Sequence, residues 1–378
     1  MLTKTMKILA MVLGLISLTF FSSCDENVPE DAAEILVEYG AKPDSIPTFA
    51  QINLYADDSP FNSLIGDNPS IDANNDALIL KLIEGGDFLI TVKSFSSPVY
   101  IADETSPVYN VNIPCGESWG MEVSQLLNVP IPDSAEPAFD GAAGDPVPSG
   151  CAEGSDLDNH MVVLDLVNRC EYDFWQARKT TLGWYASWAG SISLDSDGIY
   201  PHGLSTRGSG FAFLGGVIWP DELHLGRIDH ALSFNHPYTK SGGPVAPATD
   251  SDGEINQADA IPEGALLQLN PDLDLGTLGL TPFEMTIAIA LQRYGMYLVD
   301  NGSSGVGLYA IDPKSVNGNP YAGVLPDEDW PLLSNIPLDE FRVLEMGPQN
   351  GNYQNELELV ESGCASYGAV AQNEKTNY

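Results

Sequence analysis

The chain is 378 residues long, so one large domain or two ordinary ones fit and core size is not limiting. Against 53 Asp and Glu stand only 15 Lys and Arg, a formal charge of -38, and repulsion of that size excludes nucleic acid and anionic lipid as general partners while leaving room for one basic cleft. Hydrophobic residues at 43% with 36 Gly and 27 Pro describe a turn-rich globular protein, because a disordered chain carries fewer apolar residues.

The first 24 residues read as a processing signal. Lys4 and Lys7 supply a positive start, Ile8 to Phe21 an apolar run, and Ser22-Ser23-Cys24 follows. This resembles a bacterial lipoprotein signal, in which Cys24 is lipidated after cleavage. An uncleaved anchor is the alternative, although the apolar run is short for a full span. Asp25-Glu26 resembles the acidic tag that takes some Gram-negative lipoproteins to the cell surface. The expected location is therefore extracytoplasmic, at the outer membrane or cell surface, with the lipid as the only membrane contact.

Residues 25–48 are acidic and Pro-containing and read as a tether. From Phe49 onward short apolar runs alternate with Gly, Pro, Asn and Asp clusters, the pattern of an all-β domain. Strands are expected at Phe88–Val92, Val108–Ile113, Met161–Leu164, Glu171–Gln176, Trp184–Leu194, Ile228–Asn235 and Ala265–Leu269. Ala77–Glu84, stopped by Gly85-Gly86, reads as a helix. A second helix starts at the capping box Thr281-Pro282-Phe283-Glu284, buries Phe283, Ile287, Ala290, Leu291 and Tyr294, and stops at Gly295. Met296–Val299, the turn Asp300-Asn301-Gly302 and Gly307–Ile311 read as a β-hairpin. The fold class that follows is all-β: a two-sheet, jelly-roll-like β-sandwich spanning 49–378, with one or two short helices, as a monomer.

Beyond Cys24, the cysteines Cys115, Cys151, Cys170 and Cys364 are an even number in an oxidising compartment, and four allow three pairings. Cys151–Cys170 is the favoured bridge, since a hairpin brings the two together, leaving Cys115–Cys364. No spacing suggests zinc.

All five histidines, six of the fifteen basic residues and four of the six tryptophans fall between His160 and Lys240. A ligand site with stacking faces, charge-assisted donors and titratable groups accounts for that concentration. A core rich in aromatic residues accounts for the tryptophans alone. If 160–165 and 170–176 pair as a hairpin, one face carries Met161, Val163, Cys170, Tyr172 and Phe174. The other carries His160, Val162, Leu164, Glu171, Asp173 and Trp175. Carboxylates at i and i+2 lie roughly 7 Å apart at the backbone, within reach of the ~5–9 Å separations of glycoside hydrolysis, and a tryptophan beside them suits a sugar ring. Against this stands the plain reading of Glu171 and Asp173 as solvated residues of an exposed strand. His230 sits among apolar neighbours, which fits either a core histidine or a desolvated general base. Glu222, after Pro220-Asp221, reads as the first turn of a short helix. Asp195-Ser196-Asp197-Gly198 and Asp250-Ser251-Asp252-Gly253-Glu254 are fragments of calcium loops without the full ligand spacing, so polar turns are expected, no metal is assigned, and calcium stays the only cofactor left open. There is no P-loop, no H-E-x-x-H and no G-x-S-x-G.

Several stretches together resemble a family of secreted bacterial proteins without an assigned activity. They are Asp158-Asn159-His160-Met161-Val162-Val163-Leu164-Asp165, Glu171-Tyr172-Asp173-Phe174-Trp175 and Trp184 to Gly190. Further on come Gly226-Arg227-Ile228-Asp229-His230-Ala231-Leu232, Ile261-Pro262-Glu263-Gly264-Ala265, Arg293-Tyr294-Gly295-Met296 and Asp300-Asn301-Gly302-Ser303. The likeness runs from about Pro60 to Met346, implies one domain, and brings no catalytic residues with it.

The residues point to a surface-anchored glycoside hydrolase acting on polysaccharide. Glu171 and Asp173 are its carboxylate pair, His160 or His230 assists them, and Trp175, Trp184 and Trp188 are sugar platforms. Arg178, Arg227 and Lys240 are placed to hold acidic groups. A uronic-acid polymer allows a lyase instead, with an arginine neutralising the carboxylate while His230 and Tyr238 exchange protons. A non-catalytic glycan-binding lipoprotein is the rival from another class.

Overall fold

The computed structural model describes residues 39–138, 140, 151, 157–355 and 358–369, which fall in one compact unit. Cys24, the signal and residues 25–38 of the expected tether lie outside them. Residues 39–48 do not hang free. Gly40 N–H donates to Asp133 O (2.8 Å), Asn317 N–H to Pro43 O (2.8 Å), and Lys42 pairs with Glu136 (2.8 Å).

Among the described residues fifteen short strands form three mixed sheets, an all-β sandwich-like fold with three sheets where two were expected. The strands are β1 Phe88–Thr91, β2 Val99–Ala102, β3 Val108–Asn112, β4 Gln125–Pro130, β5 Met161–Asp165, β6 Cys170–Trp175, β7 Arg178–Thr180 and β8 Gly183–Tyr185. They continue with β9 Trp188–Ser193, β10 Leu232–His236, β11 Leu266–Leu269, β12 Met296–Asn301, β13 Val306–Tyr309, β14 Phe341–Val343 and β15 Ser366–Gly368. The sheet orders are β1-β13-β10-β12-β11-β14, β15-β4-β3-β8-β7 and β2-β5-β6-β9. Period-two alternation divides the six-stranded sheet. Met296, Leu298 and Leu308 face one core cluster with the helices α1 (Asn75–Glu84) and α2 (Pro282–Arg293), while Tyr297, Val299 and Tyr309 face the cluster shared with the other two sheets. The candidate site lies on that second side.

Helix α2 follows its end signals. Thr281 Oγ1 accepts from Glu284 N–H (3.4 Å) and Glu284 Oε2 accepts from Thr281 N–H (2.8 Å), a reciprocal capping box with Pro282 at the first helical position. The expected hairpin after it does not form. β12 and β13 are both present, but β10 lies between them, parallel to β12 and antiparallel to β13. Glycine makes room for the inserted strand, since a Cβ at Gly302 or at Gly307 would meet the Asn235 side chain of β10 at 2.7 and 3.0 Å. Two other expectations shift for similar reasons. The run Trp184–Leu194 breaks at Ala186-Ser187, so Trp184 joins the five-stranded sheet through β8 and Trp188 the four-stranded one through β9. Regular pairing in 228–235 begins only at Leu232.

The disulfides are Cys115–Cys151 and Cys170–Cys364, with Cα separations of 5.2 and 5.7 Å, which corrects the expected Cys151–Cys170 and Cys115–Cys364. Cys170 shares the Tyr172 face of β6, and the C-terminal segment lies over that face: Tyr172 Oη donates to Cys364 O (3.1 Å) and Ser191 Oγ lies 2.8 Å from Ser362 Oγ. Cys170–Cys364 closes a loop of 194 residues. Replacing both by serine is expected to lower stability by about 2–4 kcal/mol, read as a shifted denaturant midpoint. Peptide mapping without reductant should recover a Cys170–Cys364 peptide.

Candidate functional site

The hairpin at the centre of the four-stranded sheet forms in the expected register. Met161 stands opposite Phe174, Val162 opposite Asp173, Val163 opposite Tyr172 and Leu164 opposite Glu171. Glu171 and Asp173 therefore share a face, but that face is interior: both residues are 0% exposed and every residue of β5 is buried. The loop 199–217 covers them, and Gly190, opposite Asp173 on β9, permits it, because a Cβ there would overlap Leu204 O and the Tyr200 ring. Glu171 accepts from Tyr55 Oη (2.6 Å) and Leu214 N–H (3.0 Å), and Asp173 Oδ2 from Tyr200 Oη (3.0 Å) and Phe213 N–H (3.2 Å).

Burial, then the charge of Asp173, holds the Glu171 carboxyl well above the usual carboxylate range, and burial raises Asp173 as well. The two hydrogen-bond each other, so one carries a proton. Asp173 Oδ1 is buried without any other donor, so a proton on the raised Glu171 carboxyl is the group that can satisfy it. The pair is a sealed acid–carboxylate bridge between β6 and its covering loop. It does not open into a groove.

The other predicted residues do not gather round it. Trp184 and Trp188 are core residues, each 1% exposed, and Trp188 packs on Tyr367 (5.5 Å) and Trp119 (5.6 Å). Trp175 is half-buried, its Nε1 donating to Asp158 Oδ1 (3.1 Å). Arg178 lies on the Tyr185 ring (5.2 Å), exposed Arg227 binds Asp229, Tyr238 lies beneath Lys81 (5.3 Å), and Lys240 Nζ reaches Ala258 O (3.5 Å). His230 follows the core reading. It lies against Phe49 (4.6 Å) and pairs with Glu222 (3.1 Å), whose attraction outweighs burial and raises the imidazole. A depression of about 470 Å³ bordered by Lys42, Ile46, Tyr100, Asp103 and Thr105 contains none of these residues.

His160 instead joins a centre built on Phe213. Its ring lies 4.4 Å from Phe213, Arg207 Cζ lies 4.6 Å from the same ring, and Tyr309 lies 6.3 Å from it and 4.9 Å from Arg207. Arg207 is 3% exposed. Its Nη1 donates to Ala212 O (3.4 Å) and Gly215 O (3.2 Å), whereas Nε and Nη2 are buried without any acceptor. His160 Nδ1–H donates to Phe174 O (3.1 Å), which leaves Nε2 as the basic nitrogen. Burial, helped by the Arg207 charge and opposed by Asp140 and the Phe174 carbonyl, lowers His160 to about 4, so the ring is neutral at neutral pH. Burial and then Asp300 raise the Tyr309 hydroxyl, and the two side chains meet at 3.5 Å. Half-exposed Asp158, Trp175 and Asp300 are the members of this group in contact with solvent.

Sequence reasoning counted Arg207 among the clustered cations but gave it no role. Its signal was the run Thr206-Arg207-Gly208-Ser209-Gly210, an arginine in a glycine-rich loop that packs tightly: a Cβ at Gly208 would lie 2.6 Å from the Asp252 carboxyl carbon. Of the two calcium-like turns, 195–198 is a polar turn, with Asp195 on Arg169 (3.0 Å) and Asp197 accepting from Ile199 N–H (3.0 Å). In 250–254, Asp250 binds His202 (3.0 Å), while Asp252 meets Glu263 and Asp300, the one group of carboxylates among the described residues arranged to hold a metal ion. No helix among the described residues is long and apolar enough to cross a membrane. No protein-family model, curated protein or solved structure matches the chain, so its chemistry has to be argued from this centre alone.

Proposed function

We propose that the protein is a surface-anchored enzyme that cleaves uronic-acid polysaccharides by β-elimination, with Arg207, His160 and Tyr309 as its working groups. The observation that carries the reading is Arg207: a buried guanidinium with two donors unmatched by any acceptor costs free energy unless an anion takes them. A planar carboxylate fits that fork in bidentate fashion. With the uronate carboxylate neutralised there, the proton on the adjacent ring carbon becomes acidic. His160 Nε2 takes that proton, the electron pair forms the carbon–carbon double bond, the bond to the leaving oxygen breaks, and the Tyr309 hydroxyl protonates it. Binding of the anion also offsets the Arg207 charge that depresses His160, moving the base toward its working range.

Hydrolysis by Glu171 and Asp173 is the weaker reading, since three of their four oxygens already accept from protein donors, whereas Arg207 keeps two donors unmatched. The test is incubation of the mature domain with uronic, sulfated and neutral polysaccharides. An ultraviolet-absorbing unsaturated sugar from the uronic polymers alone is the expected result. Reducing ends without that chromophore, or binding with no turnover on any polymer, would overturn elimination in favour of hydrolysis or of a glycan-binding lipoprotein.

A further inference from the structure

We propose that Asp252, Glu263 and Asp300 bind a hard divalent cation, calcium in preference to magnesium. The three come from separate segments: the turn at 249–253, the turn at 261–264 and the end of β12. Each offers a carboxylate oxygen, and these oxygens lie within 4.8 Å of one another. The Glu263 side chain is wholly buried. Its Oε2 accepts from Asp252 N–H (3.0 Å), while its Oε1 has no partner. Asn301 Oδ1, next to Asp300, is also buried without a donor.

Among the described residues none of the three carboxylates has a lysine or arginine ion pair, and Arg207, whose charge is felt at Asp300, does not pair with it. Converging carboxylates repel one another, the more so where one of them, Glu263, is wholly buried. A divalent ion reverses this, since it makes the same oxygens favourable as anions. Ligands that are all oxygen select a hard cation, and carboxylates drawn from two loops and a strand end suit the flexible, higher-coordinate shell of calcium better than the strict octahedron of magnesium. The backbone is shaped to bring them together. Gly264 has φ +90°, and a Cβ there would overlap Val245 O, so only glycine lets this turn press inward behind Glu263.

The site does not rest on the elimination chemistry, and its test does not use turnover. The chelator-stripped protein is melted with added calcium, with magnesium, and with sodium at matched ionic strength, and calcium binding is measured by titration calorimetry. Calcium should raise Tm by several degrees where matched sodium does not. Glu263→Gln should weaken calcium binding by about tenfold or more. Asp252→Asn, at a more exposed position that tolerates the change, should weaken it similarly and so guards against a Glu263 variant that fails to fold. A wild-type Tm unmoved by calcium, or variants that respond as the wild type does, would mean that the carboxyls share protons and not a metal. A chain that binds calcium yet degrades no uronic polymer keeps this site and loses the enzyme reading.

Discussion

Glu171→Ala lowers stability by about 3–5 kcal/mol, while Glu171→Gln costs about 1 kcal/mol. Alanine removes the proton that bridges to Asp173 and the acceptors for Tyr55 Oη and Leu214 N–H, and leaves Asp173 buried beside an empty space. Glutamine keeps the volume and supplies an N–H for Asp173 Oδ1, at the cost of one mismatched acceptor. The two differ in pH dependence as well. The folded-state pKa of Glu171 is raised, so the native state holds a proton that the unfolded chain gives up near pH ~4. That contribution is present in full below the unfolded value and is lost as pH climbs through the raised folded one. Denaturant midpoints of the wild type should therefore fall toward alkaline pH relative to those of Glu171→Gln. A parallel pair of curves, or an alanine variant as stable as the glutamine one, would mean that no proton is shared. His160 adds the opposite slope: lowered to about 4, it must charge in acid, and its contribution is lost as pH falls from its unfolded value toward that one.

This pair shows what strand periodicity contains and what it leaves out. Alternation stated correctly that Glu171, Asp173 and His160 share a side of the hairpin, because that is a property of the strand. Whether the side meets water is decided by what lies over it, and here that is the loop 199–217. It covers the face with an irregular path through Tyr200, Arg207 and Phe213, leaving no periodic signal. Local signals survived into the structure for the same reason in reverse. The capping box of α2 involves residues three apart, and it formed as read. The hairpin after it failed because β10, some sixty residues earlier, inserts between its strands. The proposed cation site draws Asp252, Glu263 and Asp300 from two loops and the end of β12, of which only the first was visible, as an incomplete calcium-like turn. The disulfides went astray likewise, since Cys170 is claimed by the C-terminal segment and not by the nearer Cys151.

Arg207→Lys should reduce kcat/KM on a uronic polymer by about a thousandfold, roughly 4 kcal/mol of transition-state stabilisation, while changing Tm little. Lysine keeps the charge that Asp173 and Asp300 feel, so the buried carboxylates are not abandoned. It loses the fork, and a single ammonium cannot present two parallel donors to a carboxylate as the negative charge spreads during proton abstraction. The loss should fall mainly on kcat, because the interaction strengthens as the anion develops. It should also carry a pH signature: an ammonium placed differently from the guanidinium changes the field at His160 and moves the acid limb of the rate profile. A residue that merely held the loop by its bonds to Ala212 and Gly215 would act otherwise. Its loss would lower Tm and depress kcat on every substrate without moving that limb. Equal activity of Arg207→Lys and wild type on uronic polymers would remove the guanidinium from the chemistry, and with it the reason to place the reaction at Phe213.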